Sequence, residues 1–391
     1  MSASTSKNFL SLSIGFAMFS MFFGAGNVVF PLAIGQIARD QNVYAVLGLV
    51  ITGVFIPFIG LIAMSLFDGN YEKFFCRVGR FPGLILIILI MSLIGPFGAI
   101  PRTLTLSYST IKCYLPEIIS LPVFSILSCV IIFACTIKES SIVDLIGKFL
   151  TPVLLFSLSL IIVLGCYWAD DINLLSDLSF GDSFLLGLKE GYNTMDLPGA
   201  LFFSSVVLLG IKAHLDKGDA QGSDSMGLLL RSSAIGATLL AAVYAGFSFI
   251  AAFYAEDITN TPQEELLGVI GRQILGPYGG IVASIAVALA CLTTAIALTA
   301  VFADFLRITV CKEKITYFTS LLVTISVSWA ISTLDFGGIA TIIVPIVSIC
   351  YPGLIVMSFL NFAHKMWGWT IIKTPVYLCF AISLLNYYSV I

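Results

Sequence analysis

The chain has 391 residues, of which 59% are hydrophobic and only 10% are charged, and its formal net charge is −3. Its mean hydropathy of +1.04 excludes a water-soluble domain, because too few polar residues remain to cover the surface of a core. Apolar stretches of about 18 or more residues recur along the chain, and each is long enough to cross a bilayer. The sequence therefore predicts an all-α polytopic membrane protein with a single transmembrane domain over residues 1–391.

Polar residues divide the apolar sequence into eleven predicted helices. The first is longer than the apolar core of a signal peptide and lacks a small-x-small cleavage site, so we interpret it as a helix of the mature protein. A twelfth helix would require one of the longer stretches to be divided in two. The predicted helices are Phe9–Ala38, Tyr44–Phe67, Phe81–Ile111, Leu121–Ile137, Phe149–Trp168, Ser183–Ile211, Leu228–Ala255, Gly279–Leu306, Tyr317–Thr333, Ile339–Phe362 and Pro375–Tyr388.

Basic residues are divided unequally between the loops at the two ends of the predicted bundle. One set of loops, which includes the N-terminus, carries fourteen of the 19 Lys and Arg residues, whereas the opposite loops carry only Arg39, Lys112 and Arg272. Lys and Arg are enriched in the cytoplasmic loops of membrane proteins, so this division predicts a cytoplasmic N-terminus.

The first predicted helix contains a break about 15 residues after Phe9, well inside the membrane. Gly24 and Gly26 flank one small residue, Ala25, and Asn27 is placed to cap a second half-helix. A membrane helix is interrupted only where a cavity or packed protein satisfies its backbone, so the break indicates a site. The alternative is that the glycines only let two helices pack closely.

The sixth predicted helix contains a second mixture of glycine, proline and polar residues, between Gly187 and Gly199. The first and sixth helices occupy corresponding positions if the chain is a five-plus-five inverted repeat, and paired breaks of this kind are typical of the central site of a transporter. The first repeat then covers about residues 9–168 and the second about 183–362, followed by an extra helix over about 375–388.

The two breaks supply the candidate substrate-binding residues. Amide groups at the start of a half-helix bind carboxylates, and Gly24–Asn27 are placed to do so. Asp196 has three open interpretations, since it can bind a cation, bind a substrate amine or cap the half-helix that starts near Pro198. The candidates are Phe23, Gly24, Ala25, Gly26, Asn27, Tyr192, Asn193, Thr194, Met195 and Asp196.

Other charged residues lie in or beside the predicted helices. Arg102 lies roughly 32 Å along an uninterrupted third helix, so we expect it near the outer surface, either snorkelling to the interface or paired in a gate. Lys189 and Glu190 lie in the outer half of the sixth helix and are expected to face a vestibule. Asp304 is expected to form a local pair with Arg307.

The eighth predicted helix contains two adjacent threonines, Thr293 and Thr294, one turn after Ala290. Sodium is a hard cation that prefers oxygen ligands, and the two hydroxyls and the Ala290 carbonyl offer three. Carbonyls of the first helix near Ser20 and Phe23 would complete a sodium site. The alternative is that each threonine only bonds back to a carbonyl of its own helix.

Three motifs resemble the branched-chain amino acid carrier family, the system II cation symporters. They are Phe-Phe-Gly-Ala-Gly-Asn-Val-Val-Phe-Pro at Phe22–Pro31, Gly-Pro-Phe-Gly-Ala-Ile-Pro-Arg-Thr at Gly95–Thr103 and Gly-Tyr-Asn-Thr-Met-Asp at Gly191–Asp196. Pro345 and Tyr351-Pro352 in the tenth helix are also similar to the family. The resemblance extends over nearly the whole chain, which departs from the family by ending early, and this leaves the side of its C-terminus open.

The resemblance implies a leucine-transporter-type fold, import of leucine, isoleucine and valine, and coupling to sodium, in the inner membrane of a bacterium. The spacing of the threonine pair resembles the sodium site of that fold, and Asn27 resembles a ligand of a second sodium site in some relatives. An apolar substrate pocket is then expected. The candidates for its wall are Phe22, Phe23, Tyr192, Met195 and Phe202.

Several alternatives remain beside a sodium symporter. A carrier of the same fold can use protons, through Asp196, or carry another small neutral amino acid. A channel is disfavoured because no pore motif repeats, and an enzyme is disfavoured because no catalytic cluster lies in a span. Both histidines, His214 and His364, fall in predicted loops, and the nine cysteines include no Cys-x-x-Cys pair. The expected partners are the lipid bilayer, a small-molecule substrate and sodium, without nucleic acid, while the oligomeric state stays open.

Overall fold

The computed structural model describes residues 3–137, 150–169, 172, 174–216 and 225–390. These residues are mostly helical and contain no strand, so the predicted all-α class is confirmed. Lys138, Lys148 and Lys217, which contribute to the predicted topology, and Phe149, the predicted start of the fifth helix, lie outside the described residues.

The helices in the first half of the described chain coincide with the first five predicted spans, apart from one short loop helix. They are α1 (Ala3–Phe22), α2 (Ala25–Ala38), α3 (Asn42–Val50), α4 (Ile56–Ser65), α5 (Tyr71–Phe75), α6 (Arg80–Ile94), α7 (Ala99–Ile111), α8 (Leu121–Thr136) and α9 (Thr151–Tyr167). A π-helix at Ile51–Phe55 joins α3 to α4. The first three predicted spans are therefore each built from two α-helices.

The helices in the second half coincide with the remaining predicted spans, and two short helices lie between the seventh and eighth. They are α10 (Phe180–Asn193), α11 (Asp196–Asp216), α12 (Ser225–Phe253), α13 (Ala255–Ile258), α14 (Leu266–Leu275), α15 (Pro277–Phe305), α16 (Tyr317–Ser332), α17 (Asp335–Trp367) and α18 (Lys373–Val390). The sixth predicted span is divided into α10 and α11, as its polar residues predict.

Several of these helices meet the length and hydropathy of a membrane span. Five continuous segments of the described chain do so, and α10 with α11 forms a sixth that is bent by 43°. The five are Ala25–Ser65, Arg80–Ile111, Ser225–Phe253, Gly280–Val310 and Asp335–Trp367. Shorter apolar helices are added by α8, α9, α16 and the Asn8–Phe22 part of α1. The protein is thus an integral membrane protein, while the number of spans, eleven or twelve, and the inverted repeat remain predictions.

The broken first and sixth helices lie at the centre of the bundle. The two halves of the first helix pack against α12, and α1 also contacts α11 and α15. Of the two halves of the sixth helix, α10 packs on α3 and α11 packs on α4. Several of the largest buried side chains, Phe19, Phe202 and Tyr244, come from these helices, and another, Phe23, lies at the first break. Both breaks are therefore surrounded by protein, as a break inside a membrane requires.

The third predicted span is not one continuous helix, contrary to the prediction. α6 ends at Ile94 and α7 begins at Ala99, with turns at Gly95–Gly98 between them. A Cβ added at Gly95 would lie 2.5 Å from the ring of Phe302, and one at Gly98 would lie 2.1 Å from a backbone oxygen, so the turn depends on glycine. The Gly-Pro pair inside the apolar stretch is a sequence signal for such a turn.

The two histidines lie in helices and not in the predicted loops. His214 belongs to α11. His364 lies in the last turn of α17, where its Nδ1 is 2.8 Å from the carbonyl oxygen of Trp369. Both helices continue past their predicted ends, because hydropathy marks where the apolar sequence stops and a helix can continue into polar sequence.

Contacts between loops agree with the predicted sorting of loops to two ends. At one end Arg77 Nη1 donates to Asn361 Oδ1 at 2.7 Å, which joins the turn after α5 to the last part of α17. At the other end Lys112 pairs with Glu265 at 2.5 Å, which joins the end of α7 to the start of α14. Which end faces the cytoplasm remains the prediction made from the basic residues.

Glycines hold α10 in close contact with α3. A Cβ added at Gly187 would lie 1.9 Å from the carbonyl oxygen of Ala45, and one at Gly191 would lie 1.9 Å from Thr52 Oγ1. Small residues four apart let two membrane helices approach closely. Because the two helices are this close, the Thr52 hydroxyl donates across the interface to the carbonyl of Leu188 at 3.0 Å.

We expect Gly187→Ala to lower the melting temperature of the detergent-solubilised protein by roughly 3 to 10 °C, because the new methyl group overlaps a backbone oxygen that cannot rotate away. Gly181→Ala, on the same helix, is the matched control, since the nearest atom to its added Cβ is 3.8 Å away. Thermal unfolding followed by size-exclusion chromatography measures both. Equal melting of the two variants would contradict this account of the interface.

Candidate functional site

The break in the first helix is closed by the side chain of Asn27. Gly24 occupies the N-cap position of α2 with an extended backbone (φ −118°, ψ −158°). The Gly24 amide donates to Asn27 Oδ1 at 3.0 Å. Asn27 is thus the third residue of α2 and reaches back to the cap, whereas the sequence predicted Asn27 itself as the cap. The amides of Ala25 and Gly26 belong to the first turn, where a helix provides no acceptor.

The break in the sixth helix has a strained backbone and is stabilised by hydrogen bonds to a tyrosine from another helix. Met195 has φ +63°, a left-handed conformation that side chains other than glycine rarely adopt. Asp196 is the first residue of α11, two residues before the predicted start near Pro198. The Leu197 amide donates to the hydroxyl of Tyr351 at 3.2 Å, and that hydroxyl donates to the Thr52 carbonyl at 3.1 Å.

A buried carboxylate joins the two breaks. Asn27 Nδ2 lies 2.8 Å from both carboxylate oxygens of Asp196, and the Tyr244 hydroxyl donates to Oδ2 at 2.6 Å. Asn27 Nδ2 also contacts the Tyr244 hydroxyl. All three side chains are buried, with Asp196 only 4% exposed. A carboxylate inside a membrane protein requires such partners, and its retention there indicates a functional group.

A cavity lies between the two breaks and the third and eighth helices. Its volume is about 40 Å³, which is room for on the order of three water molecules. An amino acid fits only if these walls move apart. Polar groups on the wall come from Asn27, Arg102, Thr103, Thr194, Asp196 and Thr294. The apolar part includes Met21, Phe22, Ile94, Ala99, Met195, Phe203 and Leu298.

Most of the predicted substrate-binding residues lie on this cavity. Those on its wall are Gly24, Ala25, Gly26, Asn27, Thr194, Met195 and Asp196. The others lie beside it. Phe23 stacks on Phe19 with ring centroids 5.2 Å apart, and Tyr192 stacks on Tyr351 at 4.7 Å.

Two further candidates also lie behind the cavity wall. Asn193 Nδ2 donates to Glu190 Oε2 at 3.0 Å, and the Asn193 carbonyl accepts from Arg102. Phe202, a candidate for the apolar wall, stacks on Phe75 with ring centroids 5.9 Å apart, and its neighbour Phe203 lies on the cavity.

Arg102 lies at the cavity, and the prediction that it lies near the outer surface is wrong. Its side chain is buried, with 3% exposed, between the rings of Phe30 and Phe336 at 5.1 and 5.3 Å. Nη1 donates to the Asn193 carbonyl at 3.3 Å and approaches Met195 Sδ at 3.6 Å. The error has a physical cause, because the turn at Gly95–Gly98 invalidates a position counted along a straight helix.

Two smaller predictions on charged residues have different outcomes. The local pair of Asp304 and Arg307 is confirmed, with 2.9 Å between Oδ1 and Nη2. Lys189 is exposed on α10, and Glu190 is partly buried. Whether either faces a vestibule remains a prediction.

Oxygen atoms from α1 and α15 meet behind the cavity. The Thr293 hydroxyl lies 3.0 Å from the carbonyl oxygens of both Ser20 and Ala290. The Thr294 hydroxyl lies 3.4 Å from the Ser20 carbonyl oxygen and 3.2 Å from that of Met21. The cluster contains the predicted Ser20, Ala290, Thr293 and Thr294, and Met21 adds a carbonyl that was not predicted. Whether the Phe23 carbonyl is also a ligand remains a prediction.

This oxygen cluster fits a monovalent cation. Its donors are neutral hydroxyls and carbonyls, which suit a hard cation, whereas calcium sites normally add carboxylates. The Ser20 Oγ atom, on a residue of the cluster, is buried and has no hydrogen-bond partner. A cation bound by the carbonyl oxygens would turn the threonine hydroxyl protons away from them.

Three residues of the site were not among the predicted binding residues. Tyr244 is one of many aromatic residues in an apolar helix, so nothing in the sequence distinguishes it. Tyr351 stands in a Tyr-Pro pair inside the tenth predicted helix, which is a visible signal. Arg102 stands six residues after the Gly-Pro pair Gly95-Pro96, and a turn predicted at that pair would have placed Arg102 closer to the site.

Two solved structures share this fold over nearly its full length. The chain is similar to MHP1, a nucleobase-cation-symport-1 family transporter solved in a closed conformation with bromovinylhydantoin bound, with a TM-score of 0.67 and 15% identity over 96% of this chain and 87% of that one. It is also similar to a Na⁺-coupled sialic acid symporter in a substrate-bound outward-open state, with a TM-score of 0.56 and 11% identity over 96% and 88%. The leucine-transporter-type fold implied by the sequence is thus confirmed.

Curated relatives are closer in sequence. The chain is 30% identical to the branched-chain amino acid permease BraB of Bacillus subtilis, covering 91% of this chain and 80% of the relative. It is 29% identical to the permease BrnQ of the same organism, covering 96% and 85%. Permeases are transporters and not enzymes, in agreement with the prediction. The sequence profile of the family described as branched-chain amino acid transport protein matches residues 7–391, and the chain belongs to that family.

Proposed function

We propose that the protein imports leucine, isoleucine and valine across the bacterial plasma membrane by sodium-coupled symport and alternating access. In this proposal the N-terminus is cytoplasmic, the cavity between the two breaks binds the amino acid, and the oxygen cluster at Ser20 and Thr293 binds sodium. The names of the relatives and the family support the substrate class, and the chemistry of the two sites supports the rest.

One observation supports the coupling between the sodium site and the substrate cavity. Thr294 belongs to both sites, because it lies on the cavity wall and its hydroxyl also contacts the carbonyls of Ser20 and Met21. Met21, which contributes its carbonyl to the cluster, also lies on the cavity wall. A cation that pulls these oxygens together therefore reshapes the cavity, and an amino acid that presses on the wall acts on the cation. Reciprocal stabilisation of this kind is what coupled binding requires.

The apolar wall supports a branched aliphatic substrate. Phe22, Ile94, Phe203 and Leu298 form a surface without hydrogen-bonding side chains. Each methylene transferred from water to such a surface stabilises binding by about 0.8 kcal/mol. Valine is therefore expected to bind roughly fourfold more weakly than leucine, and alanine roughly 50-fold more weakly.

Counterflow in proteoliposomes tests the substrate without any ion gradient. Vesicles loaded with unlabelled leucine are expected to take up labelled leucine transiently. External isoleucine, which has as many carbon atoms as leucine, is expected to compete about as well as unlabelled leucine, and valine is expected to compete more weakly. Competition by alanine or lysine as strong as that by valine would contradict the proposed specificity. Absence of counterflow with every branched-chain amino acid would contradict the proposed function.

Thr293→Ala is expected to raise the sodium concentration for half-maximal uptake by about 10- to 100-fold, because the cation loses one oxygen ligand. Leucine affinity at saturating sodium is expected to change little, since Thr293 does not lie on the cavity. Thr293→Ser keeps the hydroxyl and is expected to restore sodium activation. Thr238→Ala, an exposed threonine on α12, is the control. Sodium activation unchanged in Thr293→Ala would remove the proposed site.

Coupling to protons is the alternative that one observation favours. Asp196 is a buried ionisable group on the cavity and contacts both broken helices, so a proton bound there would also connect them. The two forms of coupling differ in which gradient drives accumulation.

A further inference from the structure

The guanidinium of Arg102 is a buried cation that forms no ion pair with a described residue. Its Nε and Nη2 atoms are buried and have no hydrogen-bond partner, and only Nη1 is used, by the Asn193 carbonyl and Met195 Sδ. None of the ion pairs among the described residues includes Arg102. Two aromatic faces flank the group, and these offset only part of the cost of removing a cation from water.

The carboxylates of the neighbouring segments have other partners. Glu190 accepts from Asn193, and Asp196 accepts from Asn27 and Tyr244. An ionised group that is retained inside a membrane protein without an ion-pair partner is a candidate for a functional site. Since Arg102 lies on the cavity wall, an anion in the cavity is in a position to be that counter-ion.

The cavity also has a matching acidic group. Asp196 and Arg102 both lie on its wall, together with the apolar surface of Phe22 and Leu298. One negative group, one positive group and an apolar surface are complementary to a zwitterion with an aliphatic side chain. The planar guanidinium offers parallel donors that fit a carboxylate. Of the amides at the first break, that of Gly24 is already bound to Asn27, so Arg102 would add to the donors that the Ala25 and Gly26 amides offer a carboxylate.

We propose that Arg102 binds the carboxylate of the transported amino acid through its free Nε and Nη2 atoms, and so selects zwitterions over amines. This inference rests on the proposed function. It gives the substrate two charged contacts, its carboxylate to Arg102 and its ammonium to Asp196.

The test compares leucine with L-leucinamide, which has the same side chain and ammonium but a neutral carboxamide in place of the carboxylate. Both compete against labelled leucine in the counterflow assay. In the wild type, leucinamide is expected to bind about 10- to 100-fold more weakly than leucine. In Arg102→Gln, leucine is expected to weaken by a similar factor while leucinamide changes little, so the ratio of the two affinities falls towards one.

A merely structural role for Arg102 predicts a different result, because damage to the fold weakens both ligands equally and leaves the ratio unchanged. An unchanged ratio in Arg102→Gln would overturn the inference. Arg231→Gln, which removes an exposed arginine on α12, is the matched control and is expected to keep the wild-type ratio. If Arg102→Gln does not fold, Arg102→Lys decides, since the loss of the planar fork weakens leucine selectively and an unchanged ratio overturns the proposal.

Failure of the inference and failure of the proposed function are distinguishable. A wild type that exchanges leucine, with the same ratio in Arg102→Gln, overturns the role of Arg102 and leaves the transporter intact. A wild type that exchanges no zwitterionic amino acid overturns the proposed function, and the inference falls with it.

Discussion

Asp196→Asn is expected to reduce leucine uptake by more than about 100-fold while the protein remains in the membrane. In the wild type, both carboxylate oxygens of Asp196 accept from Asn27, and Oδ2 also accepts from Tyr244. An asparagine replaces one acceptor by a donor, which then faces the donor of Asn27. A buried unsatisfied donor costs about 1–3 kcal/mol, and loss of the charge also removes the partner proposed for the substrate ammonium.

Two further variants determine what Asp196 does. Tyr244→Phe removes one of the hydrogen bonds and keeps the charge, so we expect a loss of about tenfold in leucine affinity and retained transport. Asp257→Asn removes an exposed carboxylate between α12 and α14 and is expected to have no effect. The measurement is initial uptake of labelled leucine, normalised to the amount of protein in the vesicles. Uptake by Asp196→Asn within tenfold of the wild type would contradict the central position given to this carboxylate.

Gly24→Ala is expected to abolish sodium-dependent uptake at ordinary sodium concentrations. A Cβ added at Gly24 would lie 2.9 Å from Thr294 Cγ2 and 3.0 Å from its hydroxyl oxygen. Threonine is branched at Cβ and has few rotamers, so the side chain cannot simply turn away. It must move off the first-helix carbonyls of Ser20 and Met21, which disrupts the oxygen cluster and the cavity wall together.

A second substitution tests the cause directly. Thr294→Ser removes the methyl group that makes the shortest contact and keeps the hydroxyl, so the double variant Gly24→Ala, Thr294→Ser is expected to recover part of the sodium activation. Gly268→Ala, with its nearest atom 4.0 Å from the added Cβ, is the control. Full activity of Gly24→Ala, or no recovery in the double variant, would show that the close approach of these two residues is not what the site depends on.

The sequence predicted the helices well because the apolar stretches are long and their polar boundaries are clear. It predicted the breaks at Gly24 and Met195 because glycine and polar residues clustered inside a membrane span are typical of a helix interrupted beside a cavity. It missed the turn at Gly95–Gly98, and the position of Arg102 was wrong for that reason alone. A single undetected turn changes the direction of every residue that follows it in the helix.

Side-chain pairing was harder to predict than the breaks. Asn27 and Asp196 were both candidates, but their contact joins residues 169 positions apart and depends on how two half-helices cross. Tyr244 completes that group and carries no local signal. The threonine pair illustrates the same limit, since Thr293 bonds both to Ala290 in its own helix and to Ser20 in the first, and the sequence alone could not exclude either.

The sequence also could not predict which carbonyl of the first helix faces the threonines. Ser20, Met21 and Phe23 differ by one or two residues, and at 3.6 residues per turn each points in a different direction. Which of them meets α15 depends on the rotation of α1 in the bundle. In the structure the carbonyls of Ser20 and Met21 accept from the threonine hydroxyls, and a role for the Phe23 carbonyl as a ligand remains a prediction.

Uptake of labelled leucine into proteoliposomes under imposed ion gradients tests the central claim most directly. With an inward sodium gradient at equal pH on both sides, we expect leucine to accumulate above the external concentration, and we expect no accumulation when potassium replaces sodium. Accumulation that ignores sodium and follows an inward proton gradient would contradict sodium coupling and assign the coupling role to Asp196.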